Sequence, residues 1–268
     1  MRQLLIIDPQ NDFCDVAGAA LPVAGAGADL ARLAAFMGGI ALDGITVTLD
    51  SHASVAVERT TFWVDAQGQA PAPFTFVTAD DVQAGTLTPR NRALTPAVLA
   101  MLGQLGQRGR PGLVIWPVHC VTGTWGHNIA DTLAEALADW EFANQRSVRK
   151  VLKGEYPLTE HFGVFEADAP DPQVASTRFN TALARDITQG TDVLFVAGEA
   201  GSHCVAASFD QLAAYLDQQP GPRPRVVLLS DCMSPVAGFE AAQDALLERA
   251  RAWGADTMSA AQALRAYA

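Results

Sequence analysis

Short apolar runs alternate along this chain with segments in which apolar residues recur every three or four positions. The apolar runs predict buried strands at residues 4–7, 45–49, 113–115, 148–152, 193–196 and 226–229. The recurring pattern between them, for example Leu30, Leu33 and Met37, predicts amphipathic helices. Strands and helices that alternate at this spacing form parallel pairs through right-handed crossovers. The pattern therefore predicts an α/β fold: a doubly wound, mostly parallel six-stranded sheet with helices on both faces.

One segment departs from this alternation. Residues 59–93 are rich in Pro, Gly, Thr and Gln, show little helical periodicity, and carry Trp63, Phe74 and Phe76. A stretch of this kind is commonly a lid or a binding loop in a compact enzyme, and a plain surface insertion fits equally well. No repeat, linker or charge run divides the remaining sequence. We therefore expect a single domain over residues 1–268, with a lid-like insertion at about 59–93.

The charge balance excludes several classes of partner. With a net charge of −11 and a pI of about 4.8, the chain is too acidic to bind nucleic acid or an anionic membrane surface electrostatically. No run reaches the ~18 apolar residues of a membrane span, and the first residues lack a signal-peptide pattern. The four cysteines are widely spaced and form no CxxC pattern. We therefore expect a cytoplasmic protein with reduced thiols.

Polar and reactive side chains gather where the predicted strands end. Four strands are followed by residues suited to catalysis or metal binding: Asp8, Asp50 with His52, Lys153 and Cys204. His119 lies in the loop after a fifth strand. Because an open parallel sheet places its ligands at the carboxyl ends of its strands, these distant residues are expected to share one cleft. Taken singly, each has an ordinary explanation, such as a capping turn or a solvated lysine.

Cys204 lies where a predicted strand turns into a helix. Small residues, Gly198, Ala200 and Gly201, precede it and allow a tight turn. The free N–H groups and the dipole of a helix N-terminus lower a thiol pKa and stabilise an oxyanion. This position therefore favours a nucleophilic thiol with a lowered pKa, whereas the alternative is an inert cysteine buried in a core helix.

Asp50 and His52 form the start of a candidate metal site. Two residues apart in extended chain, they point to the same side, so both can ligate one ion. An Asp-x-His pair alone is a weak signal, because the pair is equally ordinary in a turn. His119 strengthens the interpretation, although by itself it fits a hydrogen-bonded loop histidine.

Five segments together give the chain a family resemblance. They read LLIIDPQNDFC at 4–14, DSH at 50–52, WPVHCVTGT at 116–124, KGEYPLTEHF at 153–162, and a glycine-rich turn at 198–204 before a helix. In this order the chain resembles the nicotinamidase and isochorismatase-like family of cysteine hydrolases, and more closely its nicotinamidase branch. The resemblance implies the same doubly wound parallel sheet.

The resemblance also implies roles for individual residues. The catalytic triad that it implies is Asp8, Lys153 and Cys204. The implied metal ligands are Asp50, His52 and His119, with Glu58 as a further ligand directly or through water. The implied substrate contacts are Phe13, Trp116 and Phe162. The implied oxyanion hole uses the backbone N–H groups of Ala200 and Cys204, which a cis peptide between Glu199 and Ala200 directs toward one point.

The activity implied by the resemblance is hydrolysis of nicotinamide to nicotinate and ammonia through a cysteine thioester. The implied cofactor is one divalent transition metal, with zinc favoured over iron or manganese. A small amide is the expected partner, nucleic acid and membrane are not, and a homo-oligomer is expected. The Asp-His-His set favours this branch over relatives that usually lack a metal, and Cys204 argues against isochorismatase itself.

Several departures leave the substrate open. The turn before Cys204 reads Ala-Gly-Ser-His-Cys where Ala-Thr-Asp-Tyr/His-Cys is usual, and Phe162 stands where Tyr is common. The segment between His52 and His119 is also unusually long. The chief alternative is a related small-amide hydrolase acting on a carbamoyl, ureido or maleamate-like substrate. A non-catalytic binding protein on the same fold is a further alternative, although no triad residue is lost. The sequence assigns no role to His127, His161 or His203, the last of which fits packing or capping at a helix start.

Overall fold

The computed structural model describes residues 1–268, which form ten strands and eight α-helices. The strands are β1 (Arg2–Ile7), β2 (Gly44–Asp50), β3 (Trp63–Asp65), β4 (Thr75–Thr78), β5 (Leu87–Pro89), β6 (Gly112–Ile115), β7 (Arg149–Lys153), β8 (Val193–Gly198), β9 (Arg225–Leu229) and β10 (Asp256–Met258). The helices are α1 (Ala26–Gly38), α2 (Ala79–Ala84), α3 (Thr95–Gln107), α4 (Asp131–Asn144), α5 (Thr181–Thr188), α6 (Cys204–Asp217), α7 (Glu240–Trp253) and α8 (Ala260–Tyr267). None of the helices is both long and apolar enough to cross a membrane.

A six-stranded parallel sheet forms the centre of the molecule, in the order β10-β9-β8-β1-β2-β7. The predicted fold class is therefore confirmed. The predicted membership of the sheet is wrong at one position, because residues 113–115 lie in β6, which pairs antiparallel with β4 outside the central sheet. The sixth place is taken by β10, a three-residue strand too short to give a clear apolar run.

Helices cover both faces of the sheet, and one layer of apolar core lies between the sheet and the helices on each face. One layer packs α1, α4 and α8 against the sheet, and Phe36, Leu137 and Phe195 lie within it. The other layer packs α5, α6 and α7 against the opposite face, around Leu5 and Phe209. Alternate residues of the same strand face the two layers, as the pleat requires, so β8 and the buried part of β1 are apolar on both faces.

The segment 59–93 has regular structure of its own, contrary to its weak periodicity. Strands β3 and β5 pair with each other, β4 pairs with β6, and α2 lies between β4 and β5. Trp63, Val77 and Leu87 are buried in a third apolar cluster together with residues of α3 and β6. The segment is therefore a small packed subdomain, whose short antiparallel strands are stabilised by this cluster.

The carboxyl ends of β8, β1, β2 and β7 lie side by side, from the middle of the sheet to its β7 edge. In this register Asp50 is paired with Lys153, and Ile7 is paired with Gly198. Gly198 has a φ of 115°, and a Cβ atom there would lie 2.0 Å from the carbonyl oxygen of Ile7. Only glycine allows the β1 and β8 ends to approach this closely, and the approach places Asp8 next to the turn that carries Cys204.

Candidate active site

Asp8 follows β1 directly and is completely buried. Its φ of 42° lies in the left-handed region, which is uncommon for residues other than glycine. The Asp8 backbone N–H donates to the Thr48 hydroxyl oxygen at 3.0 Å, and the Thr48 hydroxyl donates in turn to Oδ1 of Asp8. The other carboxylate oxygen lies 2.9 Å from Nζ of Lys153. These contacts from β2 and β7 fix one orientation of the carboxylate.

Lys153 connects the predicted catalytic residues. Its Nζ atom lies 2.9 Å from Oδ2 of Asp8 and 2.8 Å from Oδ1 of Asp50, and it donates to Sγ of Cys204 at 3.7 Å. It also donates to the carbonyl oxygen of His161 at 2.9 Å. Burial disfavours the ammonium form, but the Asp50 and Asp8 carboxylates outweigh burial and hold the pKa of Lys153 well above its ordinary value. Lys153 is therefore a buried permanent cation.

Cys204 is the first residue of α6, and it is one of four free cysteines. Burial raises the pKa of its thiol well above the ordinary value, and the nearby Lys153 charge offsets this only in part. The lowered thiol pKa expected from the helix terminus is therefore wrong for this state, because desolvation of the thiolate outweighs the helix dipole. Burial, opposed by Lys153 and assisted by Asp50, also raises the pKa of Asp8. A carboxylate with a raised pKa is a better proton acceptor for a neutral thiol.

Two backbone N–H groups are free beside the sulfur. The Ala200 and Cys204 N–H groups make no hydrogen bond within the chain, and both residues line the cavity. The peptide between Glu199 and Ala200 is cis. Free N–H donors at a helix N-terminus can hold a developing negative charge, and the oxyanion hole stays a prediction for these two groups.

A buried Asp-His-His cluster adjoins the three predicted catalytic residues. Ligand atoms of Asp50, His52 and His119 all lie within 4.8 Å of one another. Oδ2 of Asp50 lies 2.8 Å from Nε2 of His52 and 3.6 Å from Nε2 of His119. Nδ1 of His119 lies 2.8 Å from the carbonyl oxygen of Pro117, and an N–H there leaves Nε2 with a lone pair, which lies 3.1 Å from Nη1 of Arg59. The donor set suits a transition-metal ion such as zinc.

The protonation of the two histidines differs. Burial, assisted by the adjacent Arg59 charge, lowers the pKa of His119 to about 4, so its ring is neutral at pH 7. Burial also disfavours a charged His52, but Asp50 outweighs burial and raises the pKa of His52 to about 9. His52 must therefore lose a proton to ligate a metal, which makes metal binding dependent on pH.

Glu58 and Arg59 surround the cluster from the segment after β2. Oε1 of Glu58 lies 3.0 Å from Nδ1 of His52 and 3.4 Å from Nε of Arg59, outside hydrogen-bonding geometry. Arg59 is fully buried and contacts the ring nitrogens of His119. Glu58 therefore lies at the edge of the Asp-His-His cluster, with both carboxylate oxygens free. The sequence analysis did not identify Arg59, because a buried arginine has no local sequence signal.

A small, mostly apolar cavity with a volume of about 30 Å³ opens above Cys204. Its lining residues are Phe13, Leu21, Asp50, Trp116, His119, Glu160, Phe162, Ala200, His203, Cys204 and Val236. The three predicted substrate contacts, Phe13, Trp116 and Phe162, are all in this lining. The cavity thus brings together the nucleophile, part of the metal cluster and several aromatic rings. Leu21 and Val236 were not predicted, since they lie outside the motifs and have no distinctive chemistry. Glu160 lies within the motif at 153–162, but the sequence assigned it no role.

His203 lies in the wall of the cavity and is the N-cap residue of α6, where its side chain makes no capping hydrogen bond. Of the two roles expected from its sequence position, packing at the helix start is the one that its ring performs. Its ring packs edge-on against Phe239 at 4.6 Å and Trp116 at 5.2 Å between centroids. Nδ1 is hydrogen-bonded to the hydroxyl of Ser202 at 2.8 Å. Burial, with a smaller effect of Arg110, lowers the pKa of His203 to about 4.

The other two unassigned histidines have structural contacts. Nε2 of His127 lies 2.8 Å from the Ser51 hydroxyl oxygen. Nδ1 of His161 accepts from the Gly154 N–H at 3.3 Å, and the His161 carbonyl accepts from Lys153. Burial, assisted by the Lys153 charge, lowers the pKa of His161 to about 3. Both rings support backbone segments that carry site residues.

The polar residues after β1 also hold the site together. Gln10 accepts from the Asp50 N–H at 2.7 Å and donates to the Asp50 carbonyl at 2.8 Å. Asp12 accepts from the Cys120 N–H at 2.7 Å, which fixes the loop that carries His119. Glu160 accepts from Nε1 of Trp116 at 3.0 Å. The motif around Asp8 is therefore mostly a scaffold that orients the candidate catalytic and metal-binding groups.

Comparisons with known proteins identify the fold. No protein-family model matches the chain, and no curated protein matches its sequence. Among solved structures, the yeast nicotinamidase Pnc1p aligns with a TM-score of 0.64 at 20% identity, over 96% of this chain and 99% of that one. A Pyrococcus horikoshii pyrazinamidase in complex with zinc aligns with a TM-score of 0.54 at 19% identity, over 96% of this chain and 98% of that one. An isochorismatase-like hydrolase from Alkaliphilus metalliredigens aligns with a TM-score of 0.53 at 16% identity, over 99% of this chain and 98% of that one. The chain therefore has the nicotinamidase and isochorismatase-like hydrolase fold.

Proposed function

We propose that this protein is a metal-dependent cysteine amidohydrolase that converts nicotinamide, or a close aromatic carboxamide, to the acid and ammonia. The observation that carries the proposal is the contact of Lys153 with Asp8, Asp50 and Cys204 at the base of an aromatic cavity. A general base, a nucleophile and free N–H donors are the parts that acyl transfer requires. The structural neighbours that act on nicotinamide or pyrazinamide support this reaction class.

The first chemical step transfers a proton and forms a carbon–sulfur bond. Asp8 takes the thiol proton as Sγ of Cys204 attacks the carboxamide carbon. The carbonyl oxygen becomes an oxyanion, which the Ala200 and Cys204 N–H groups stabilise; loss of one such donor typically costs about 3 kcal/mol. The Lys153 ammonium stays charged throughout and favours the anionic forms of both Asp8 and Cys204 by proximity.

The second half of the reaction returns the enzyme to its starting state. Asp8 donates its proton to the departing nitrogen, and ammonia leaves as the carbon–nitrogen bond breaks. Water then attacks the thioester, Asp8 accepts a proton from that water, and the acid is released as the thiol is regenerated. The same carboxyl thus serves as base and acid, which suits its raised pKa.

Asp50, His52 and His119 would hold the metal ion. Bound there, a divalent ion supplies a Lewis acid to which a ring nitrogen and water can coordinate. Phe13, Trp116 and Phe162 present apolar surfaces to a flat ring; such aromatic contacts contribute about 0.5–1.5 kcal/mol beyond the buried area. Zinc is the proposed ion, with iron or manganese as alternatives, and zinc is bound in the Pyrococcus pyrazinamidase.

The test is an ammonia-release screen of metal-loaded protein with nicotinamide, pyrazinamide, benzamide, maleamate and ureido compounds. We expect turnover of the two heteroaromatic amides and none by Cys204→Ala. Benzamide carries the same amide but no ring nitrogen, so equal kcat/KM for benzamide and nicotinamide would exclude ring coordination. Turnover of only maleamate or a ureide would move the assignment to the related small-amide hydrolases. No turnover of any amide would favour a binding protein on this fold.

A further inference from the structure

A second buried acidic site lies behind the turn that carries the candidate oxyanion hole. Glu199, in the turn between β8 and α6, is fully buried. Oε2 of Glu199 accepts from the Ser234 N–H at 3.2 Å, whereas Oε1 has no hydrogen-bond partner among the other polar atoms. No lysine or arginine forms an ion pair with Glu199. It is therefore a buried carboxyl group without a counter-charge.

Asp29 on α1 is the second carboxyl group of this site. It is buried, it accepts from the Ser234 hydroxyl, and its other oxygen pairs with the side chain of Arg32. Arg32 neutralises Asp29 but does not pair with Glu199. Ser234 therefore connects two carboxyl groups of unequal character: one in an ion pair, the other without one.

The remaining groups that face Glu199 add negative charge or none. Asp15 in the loop before α1 acts on it electrostatically, and the thiol of Cys14 lies near it. After β9, Asp231 presents its carbonyl oxygen to Arg32, and the thiol of Cys232 is neutral, because burial raises its pKa far above 7. Burial, assisted by Asp29, raises the pKa of Glu199 well above its ordinary value.

Glu199 is also joined to the backbone that shapes the cavity. Gly201 N–H donates to the Ser234 carbonyl at 2.9 Å, and Ser234 N–H donates back to the Glu199 side chain. The hydroxyl of Ser202 accepts from the Val236 N–H at 3.0 Å. Three hydrogen bonds thus tie the turn 199–202 to the loop 234–236. Ala200, the candidate oxyanion donor, lies inside the tied turn.

We propose that Glu199 is a positioning residue that stays a neutral carboxylic acid, donates its proton to Asp29, and holds the Ala200 N–H in place. The neutral acid satisfies the otherwise unpartnered Oε1 and avoids a second buried negative charge. Ionisation of Glu199 would set two carboxylates against each other and loosen the turn. The catalytic consequence rests on the proposed amidase function, whereas the shared proton does not.

The proton is tested by thermal unfolding of the wild type and of Glu199→Gln between pH 5 and pH 8.5. A carboxyl whose pKa is raised on folding contributes full stability below its unfolded pKa, and this contribution is lost as pH rises toward its folded pKa. Glutamine keeps an N–H donor and does not titrate. We expect the Tm of Glu199→Gln minus that of the wild type to rise by about 3 °C per pH unit above pH 5.

Two variants complete this test. Glu248→Gln, an exposed substitution on α7, is the control and should track the wild type at every pH. Asp29→Asn removes the neighbouring negative charge but keeps a carbonyl acceptor, so the pKa of Glu199 should be lower and the fall of Tm with pH should end at a lower pH than in the wild type. A Tm difference between Glu199→Gln and the wild type that is the same at every pH would overturn the proposal, whatever the substrate proves to be.

Catalysis tests the positioning role. Glu199→Gln should keep the wild-type kcat near pH 7, whereas Glu199→Leu should lose about 10-fold or more in kcat with a smaller change in KM, since a misplaced oxyanion donor acts in the transition state. The wild-type kcat should fall at alkaline pH as Glu199 ionises, and in Glu199→Gln this fall should occur at a higher pH. Equal kcat for Glu199→Leu and Glu199→Gln would show that the carboxyl has no positioning role. If Glu199→Leu fails to fold, the alkaline limb of Glu199→Gln decides the question.

Discussion

Nζ of Lys153 lies 2.8 Å from Oδ1 of Asp50. The cation that contacts the candidate nucleophile therefore also contacts a candidate metal ligand. The pair arises from the parallel register of β2 and β7, in which these two residues are direct neighbours. The catalytic and metal-binding groups thus form one buried electrostatic unit, so a substitution in either is expected to affect both.

Lys153→Met should abolish amide hydrolysis and lower the free energy of unfolding. Removal of the ammonium leaves Asp8 as an uncompensated buried charge and Asp50 paired with His52 alone, and breaking a buried pair in this way costs about 3–5 kcal/mol. Urea unfolding and ammonia release measure the two effects. Lys150→Met on the same strand is the control, because Lys150 is exposed and should change neither. Wild-type stability in Lys153→Met would contradict the assigned charge of Lys153.

Cys204 should be alkylated by iodoacetamide faster than Cys14, Cys120 or Cys232. All four thiols are buried and have raised pKa values, but only Cys204 lines the cavity. Iodoacetamide can therefore reach Cys204 more readily than the other three thiols, and the labelling rate should rise with pH as the thiolate forms. Peptide mapping after brief labelling measures the rates, with Cys204→Ser as control. Equal labelling of all four cysteines would remove the case for a nucleophile at this position.

Purified protein should hold about one transition-metal ion per chain, and His52→Ala or His119→Ala should release it. Each substitution removes one of three ligands from the Asp-His-His cluster. Elemental analysis of protein prepared without chelator measures the content. His127→Ala is the control, since its ring contacts Ser51 and lies outside the cluster. Absence of metal, with no uptake on reconstitution, would argue for a metal-free amidase.

The neutral ring of His203 should make the fold sensitive to acid. The pKa of His203 falls from 6.5 to about 4 on folding, so its contribution to stability is complete above pH 6.5 and is lost as pH falls toward 4. His203→Phe keeps an aromatic ring that does not titrate. Between pH 7.5 and pH 4.5 the variant should lose about 3 kcal/mol less unfolding free energy than the wild type. If the unfolding free energies of the variant and the wild type, measured with urea, fall by the same amount as pH is lowered, His203 is not neutral in the fold.

Phe74 should affect substrate affinity more than turnover. Its half-exposed ring lies edge-on against Trp116 at 5.7 Å, so the packed segment 59–93 reaches a residue of the cavity wall. Phe74→Ala should raise KM about 2- to 10-fold with a smaller change in kcat, from the loss of one aromatic contact. Phe76→Ala removes a ring of similar exposure from the same segment and is the control. Equal KM for both variants would argue for a plain insertion over a lid.

The order of strands, helices and strand-end residues could be predicted from sequence, because apolar periodicity and turn chemistry are local properties. The pattern therefore identified the fold class and five strands of the central sheet. It misplaced residues 113–115, because a short apolar run is the same in a central strand and in an antiparallel pair of a small subdomain. It also missed β10, whose three residues are polar or only partly buried.

The sequence by itself determined which groups stand at the strand ends: Asp8, Asp50, Lys153 and Cys204 follow directly from the parallel α/β pattern. Only the tertiary structure decided their protonation, because a pKa depends on burial and on charges brought from other strands. Burial raised the pKa of the Cys204 thiol where the helix N-terminus alone predicted a lowered one. Burial of Glu199 opposite Asp29 likewise depends on contacts between elements far apart in the chain, which no local pattern encodes.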